Sequence, residues 1–237
     1  MCNLYTYRLS AREVRNLLQH YKLIGTEWAE AMDRRNGPTD VYPNYEAPVV
    51  VVRDGNRVVQ TLRWGMPGPI FPPKPGEKPR PPGIVTNVRN TASRHWTPWL
   101  ASSSVVVGKD RNRGGRCVVP ATAFAEPNRN TSKPVVFRWF KRADDQPFFF
   151  AGIWREWEGD RGTKAKPNVG QHKLYSFLTT EPNSMVEPIH NKAMPVMLMT
   201  PDAVDQWLNG TAAEALKLQK PAPDKSIVLV PDKKKAA

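Results

Sequence analysis

The second residue of the chain is a cysteine, preceded only by Met1. Its side chain is small enough for Met1 to be removed, which would leave Cys2 with a free α-amine and a thiol on one residue. An α-amine has a pKa of about 7.7–8.0, so roughly a sixth of it is neutral and nucleophilic at pH 7. With an aldehyde the amine gives an imine. The thiol, one carbon away, can then close on the imine carbon to form a five-membered thiazolidine. Cys2 therefore reads either as a carbonyl-trapping centre or as an incidental cysteine at an unprocessed terminus, and its position alone favours the second.

Other groups could serve such a centre. Glu126, in RCVVPATAFAEPN (116–128), follows an apolar run and reads as a surface acid or a general acid/base. Cys117 in the same stretch reads as a buried strand cysteine. His190, in EPIHNKAMPVML (187–198), stands at a strand entrance, where an imidazole either bonds structurally or shuttles protons near neutral pH. Asn87 and Arg89, in IVTNVRNTAS (84–93), pair a turn former or orienting donor with a candidate phosphate clamp. Trp64, in RWGMP (63–67), either stacks on a base or fills a core.

Positioning these groups requires a sheet. Residues 10–22 predict a helix, with a capping box from Ser10 and Glu13, an apolar face of Val14, Leu17, Leu18 and Tyr21, and His20 off that face. Residues 47–53 and 57–62 predict a hairpin around Asp54-Gly55-Asn56. From Pro67 to Gly83 the chain is dense in proline, with Lys74, Lys78 and Arg80 among them, and predicts a long loop. Residues 91–101 predict a helix. Strands follow at 116–120, 134–140, 147–154, 173–180 and 195–199. Thr200-Pro201-Asp202 starts a helix that Gly210 stops, and Thr211 to Glu214 opens another. A last strand spans 226–230. Short strands joined by turns predict an α+β fold: a mostly antiparallel sheet or partly closed β-barrel with a few flanking helices. One domain over residues 2–230 is expected, with a disordered basic tail at 231–237.

Composition narrows the partners. The 237 residues carry a formal charge of +13, which favours a polyanion. The two cysteines form no C-x-x-C pair, and His20, His95, His172 and His190 lack ligand spacing, so neither metal nor cofactor is expected. No apolar run approaches a membrane span, no signal peptide is evident and no Gly-rich phosphate loop occurs. The expectation is a cytoplasmic monomer in a reducing compartment.

Seven segments, in this order and spacing, resemble one family: Met1-Cys2, RWGMP (63–67), TNVRNTAS (86–93), RCVVPATAFAE (116–126), FFFAGIW (148–154), LTTEPN (178–183) and IHNKAMPVML (189–198). Each is weak alone, but as a set they are specific to the SOS response-associated peptidase (SRAP) family of abasic-site processing proteins. The resemblance implies a covalent sensor of abasic sites in single-stranded DNA. It implies that Cys2 forms a thiazolidine with the ring-opened sugar, Asn87 orients the adduct, Glu126 moves protons, and His190 handles the sugar ring oxygen or hydroxyl. It places Arg89 and Lys192 at backbone phosphate and Trp64 and Pro43 against neighbouring bases. Self-processing at the N-terminus comes with it, and the imine intermediate would allow an abasic-site lyase side reaction.

The chain departs from the family pattern in carrying Asn3-Leu4 where many members have Gly-Arg. It also has Pro127 where an aromatic is usual, and one extra residue between His190 and Met194. Two other readings stand beside the resemblance: an N-terminal-nucleophile cysteine peptidase or amidase acting on peptides, and a non-catalytic basic nucleic-acid binder.

Overall fold

Extended segments dominate the chain, and short turns rather than helices join them, so most strands pair antiparallel. The computed structural model describes residues 2–23, 27–28, 40–73, 75–76, 81–128, 135–163 and 165–231. The first elements are β1 (Leu4–Thr6), α1 (Ala11–His20), β2 (Glu27–Trp28), β3 (Asp40–Val41), β4 (Glu46–Arg53), β5 (Asn56–Trp64), β6 (Met66–Pro67), β7 (Ile84–Val85) and β8 (Asn87–Val88). Next come α2 (Thr97–Leu100), β9 (Val105–Val107), β10 (Asn112–Ala121), β11 (Ala123–Pro127), β12 (Phe137–Arg142), β13 (Phe148–Asp160) and β14 (Val169–Thr180). The last are β15 (Met194–Pro195), β16 (Met197–Leu198), α3 (Pro201–Asn209), α4 (Ala212–Leu216) and β17 (Ile227–Leu229).

The hairpin of β4 and β5 turns on Asp54 and Gly55, both at positive φ (52° and 82°), the backbone that a tight two-residue connection requires. From this hairpin a ring is built. β4 pairs with β10, β10 with β13, β13 with β14, and β14 returns to β5 by a parallel pairing of Leu174 with Arg63 and Tyr175 with Trp64. The barrel expected to be partly closed is a closed five-stranded one. A second sheet runs in the order β17, β12, β11, β1, β3.

Because successive strand residues face opposite ways, the ring supports two cores. Val49 and Val51 of β4 and Phe148 and Phe150 of β13 join the inner cluster with Tyr5, Trp64, Tyr175 and Phe177. Val50 of β4 and Phe149 of β13 face outward and pack with Leu17, Leu18, Trp99 and Trp207 from the helices. The capping box of α1 forms as its spacing predicts, with Ser10 Oγ accepting from Glu13 N and Glu13 accepting from Ser10 N. Thr211 and Glu214 repeat the motif at α4. Among the described residues no helix is long and apolar enough to cross a membrane.

Some elements differ from expectation. The helix expected over 91–101 shrinks to α2, because Pro98 tolerates only a first-turn position and residues 91–96 form turns. The strand expected over 195–199 is two short pieces, since Val196 N leaves the local pairing to bond Leu178 O at 2.9 Å. Lys74, Lys78, Arg80, Pro134 and residues 232–237 lie outside the described residues.

Arg116 is the least expected core residue, only 1% exposed. Its Nη1 donates to Leu100 O at 2.8 Å and to Ala101 O at 3.3 Å. Its Nη2 donates to Gly210 O and, at 3.5 Å, to Leu208 O. One guanidinium thus closes the C-terminal ends of α2 and α3, where carbonyls lack helical partners. Arg116→Met fills the space but orphans those carbonyls, so unfolding stability should fall by about 2–5 kcal/mol. A denaturant midpoint equal to wild type would refute this.

Candidate active site

β1 lies between β11 and β3, with Leu4 opposite Ala125 and Tyr5 opposite both Phe124 and Val41. This register brings Cys2 beside the part of β11 that bears Glu126. Cys2 is fully buried, and its Sγ lies 3.4 Å from Leu4 O and 3.8 Å from Ala125 O. Burial pushes the thiol well above its ordinary pKa, and the neighbouring Glu126 carboxylate pushes it further. The sulfur is therefore protonated at neutral pH.

Asn87 opens β8, which is held parallel to β14 through Asn87 opposite Phe177. Its Nδ2 donates to Cys2 O at 2.7 Å and to Thr86 Oγ1 at 2.7 Å, so both amide protons are used. Thr86 Oγ1 passes the chain on to Asn3 Oδ1 at 3.2 Å. Asn87 Oδ1 is buried and accepts no hydrogen bond among the described residues, leaving an acceptor at the Cys2 backbone.

Glu126 and His190 are both fully buried, with His190 Nδ1 3.3 Å from Glu126 Oε2 and 3.0 Å from Ala193 O. Nδ1 faces two acceptors and so carries the proton, which puts the lone pair of the neutral ring on Nε2. The loop that presents His190 is pinned by Asn183. Asn183 Oδ1 accepts from Val186 N at 3.1 Å, and Nδ2 donates to Ala222 O at 3.0 Å. Cys2, Asn87, Glu126 and His190 thus converge from four separate segments. The surface reading of an isolated Glu126 is corrected: an acid following an apolar strand is here sealed inside the second sheet. Cys117 is a buried strand residue, as its neighbours predict.

The remaining expected residues divide. Arg89 is half exposed; its Nη1 donates to Lys192 O at 2.9 Å and its Nη2 lies 3.5 Å from Glu181. Arg89 and the exposed Lys192 are therefore neighbours at the rim. Trp64 is fully buried, which corrects the expected base contact. One face stacks on Phe177 at 5.1 Å, Tyr5 meets it edge-on at 5.2 Å, and Nε1 donates to Thr86 O at 3.0 Å. An indole with no open face steadies Thr86, and through it Asn87, from beneath the site.

Pro43 lies in the turn between β3 and β4, where Asn44 N bonds Trp64 O at 2.8 Å. It is flanked by Tyr42 and Tyr45, which are 44% and 53% exposed and meet with ring centroids 5.5 Å apart. The sequence reading missed this pair; the signal was YPNY (42–45), two aromatics around a Pro-Asn turn. Thr86, Asn3 and Arg138 were also missed. Arg138 stands opposite Glu126 in the β11–β12 register, a pairing invisible from residues twelve apart in sequence. Among the described residues no three His, Cys, Asp or Glu side chains converge as metal ligands would.

The chain is 30% identical over 164 residues to the abasic site processing protein YoaM of Bacillus subtilis, a match covering 68% of this chain and 61% of YoaM. It is 33% identical over 178 residues to the abasic site processing protein YoqW of the same organism, covering 72% of this chain and 68% of YoqW. The chain thus spans about six tenths of the length of the first of these relatives. A crystal structure of a Bordetella bronchiseptica protein shares the fold with a TM-score of 0.67 at 23% identity, covering 98% of this chain and 100% of that one. A Bacteroides thetaiotaomicron protein superposes with a TM-score of 0.62 at 18% identity, covering 95% of this chain and 90% of that one. The profile described as SOS response associated peptidase (SRAP) matches residues 1–235, and with the relatives above it shows that the chain belongs to the SRAP family.

Proposed function

We propose that the protein traps abasic sites in single-stranded DNA by forming a thiazolidine at Cys2 once Met1 has been removed. The observation that carries this reading is the contact of Asn87 Nδ2 with Cys2 O at 2.7 Å beside the buried Glu126–His190 pair. The contact holds the backbone of the reacting residue through its carbonyl and does not engage its nitrogen or its thiol. Peptide-bond hydrolysis between Met1 and Cys2 releases the amine. That nitrogen adds to C1′ of the open-chain sugar, giving a carbinolamine that loses water to form an imine. The thiol sulfur then adds to the imine carbon, and its proton passes to the nitrogen. The balance is aldehyde plus aminothiol giving thiazolidine plus water.

Glu126 moves the protons. It donates as the carbinolamine hydroxyl leaves and accepts as the thiol, held neutral by burial, becomes nucleophilic. His190, fixed through Nδ1, serves the sugar oxygen through Nε2. Arg89 and Lys192 sit at the rim, where a backbone phosphate on either side of the lesion would pass. A thiol with a raised pKa is a poor unaided nucleophile, which weighs against a general cysteine peptidase. Since Cys2, Glu126 and His190 are sealed from solvent, the covering chain must yield for the sugar to enter.

The test mixes purified protein with an abasic single-stranded oligonucleotide and looks for a heat-stable conjugate whose mass map places the DNA on Cys2. Absence of conjugate, or attachment elsewhere, overturns the reading. Peptide hydrolysis with indifference to the abasic oligonucleotide would support the amidase alternative instead.

With Trp64 enclosed, Tyr42 and Tyr45 provide the exposed stacking surface beside Pro43. Stacking contributes about 1–3 kcal/mol per base, so the Tyr42→Ala, Tyr45→Ala double variant should bind intact single strands about ten- to a hundredfold more weakly at fixed salt. Fluorescence anisotropy measures this, and unchanged affinity would remove the pair from the interface.

A further inference from the structure

β10 has two ends. Its Ala121 end leads into β11 and Glu126, and its Asn112 end opens on a cleft of 380 Å³ lined by Arg53, Arg111 and Arg113 with Asp54, Ser104 and Trp154. Along the strand the two ends are roughly 30 Å apart at about 3.3 Å per residue. Three guanidinium groups in this lining face one carboxylate. Arg113 Nη1 donates to Asp54 Oδ2 at 2.8 Å, and Arg53 Nε lies 3.9 Å from the same oxygen. Glu156, outside the lining, lies 4.0 Å from Arg53 Nη2. Asp54 therefore gathers two arginines without neutralising the cleft. Arg111, exposed on its turn, adds a third charge to the lining.

Trp154 stands in the wall of the same cleft and reports on its state. It lines the cleft, is 1% exposed, and its buried indole Nε1–H has no hydrogen-bond partner among the described residues. Orphaned buried donors are rare in native proteins and call for an acceptor. An arginine-lined cleft suits an oxyanion, because the planar guanidinium fork matches phosphate better than a point charge does.

We propose that this cleft is a second phosphate site, taking a phosphodiester of the nucleic-acid strand at a distance from Cys2. The formal charge of +13 favours a polyanion over a free small anion. The proposal rests on the nucleic-acid reading above but not on covalent chemistry at Cys2. Its role is to hold flanking DNA, so it engages only oligonucleotides long enough to span the barrel.

The experiment compares wild type with Arg111→Gln and with Arg111→Gln combined with Arg113→Gln, using undamaged oligonucleotides of two lengths. Affinity for the long one should fall several-fold, with the salt slope reduced by about 0.7 for each lost contact to a single strand. Affinity for the short one should not change. In parallel, the Trp154 indole N–H resonance should shift with the long oligonucleotide and stay in place with the short one. Equal weakening at both lengths, or none, overturns the site. A resonance shift with inorganic phosphate but not with the long oligonucleotide assigns the cleft to a free anion and overturns the nucleic-acid role. Unchanged conjugate yield from a short abasic oligonucleotide shows that the variants fold and separates this result from any failure at Cys2.

Discussion

Replacing Cys2 with alanine is expected to abolish the heat-stable conjugate with abasic DNA while leaving a trappable imine. Alanine keeps the α-amine, so addition to C1′ and loss of water still occur. What it lacks is the second nucleophile on the same residue, whose proximity makes ring closure fast and the product durable. An imine without that closure hydrolyses in water and on heating. Conjugate yield should therefore drop by at least about a hundredfold, whereas borohydride reduction should still capture protein on the oligonucleotide. Strand scission should rise, because the accumulated imine favours elimination at the sugar.

The change is small in structural terms. Cys2 is buried, and removing one sulfur costs about 1 kcal/mol of stability, so melting should shift by only a few degrees. Loss of conjugate with preserved melting is then a chemical effect. Conjugate equal to wild type would end the assignment of Cys2. Because the thiol stays protonated at neutral pH, the rate for the wild type should follow the amine, rising with pH as the amine loses its proton and levelling off once it is neutral.

Glu126→Gln should slow both formation and reversal of the adduct by about 10²–10⁴-fold, with the final extent of reaction unchanged. The substitution keeps shape and an oxygen acceptor for His190 Nδ1, now 3.3 Å from the carboxylate, but removes the group that exchanges protons. A second readout separates this from a structural effect. The Glu126 charge is the second largest cause of the raised Cys2 pKa, after burial, so the thiol pKa should fall in the variant. The pH profile of thiol alkylation reports that shift. Unchanged adduct kinetics would remove Glu126 from the mechanism, and an unchanged thiol titration would remove it from the neighbourhood of Cys2.

Much of the local structure was legible in the sequence because its causes are local. Ser10 with Glu13, Thr200 before Pro201, and Asp54-Gly55 between two apolar runs each act over a few residues. Proline at position 98 was a local signal too, but it was overlooked in expecting a helix across 91–101. Barrel closure was not legible, because it depends on Arg63 and Trp64 meeting Leu174 and Tyr175, a pairing no neighbouring residue announces. The burial of Arg116 was not legible either, because only the arrival of two helix ends makes it favourable.

The sequence by itself determined the reactive chemistry available at Cys2, the basic charge, the mostly antiparallel α+β class and the family. These depend on residue type, order and spacing. Tertiary structure alone decided that Glu126 is buried against His190, that Asn87 holds the Cys2 carbonyl, and that Trp64 is enclosed while Tyr42 and Tyr45 are open. The physical reason is that burial and hydrogen-bond partnership are set by which strands pair across the fold, and that choice is made by contacts between residues far apart in the chain.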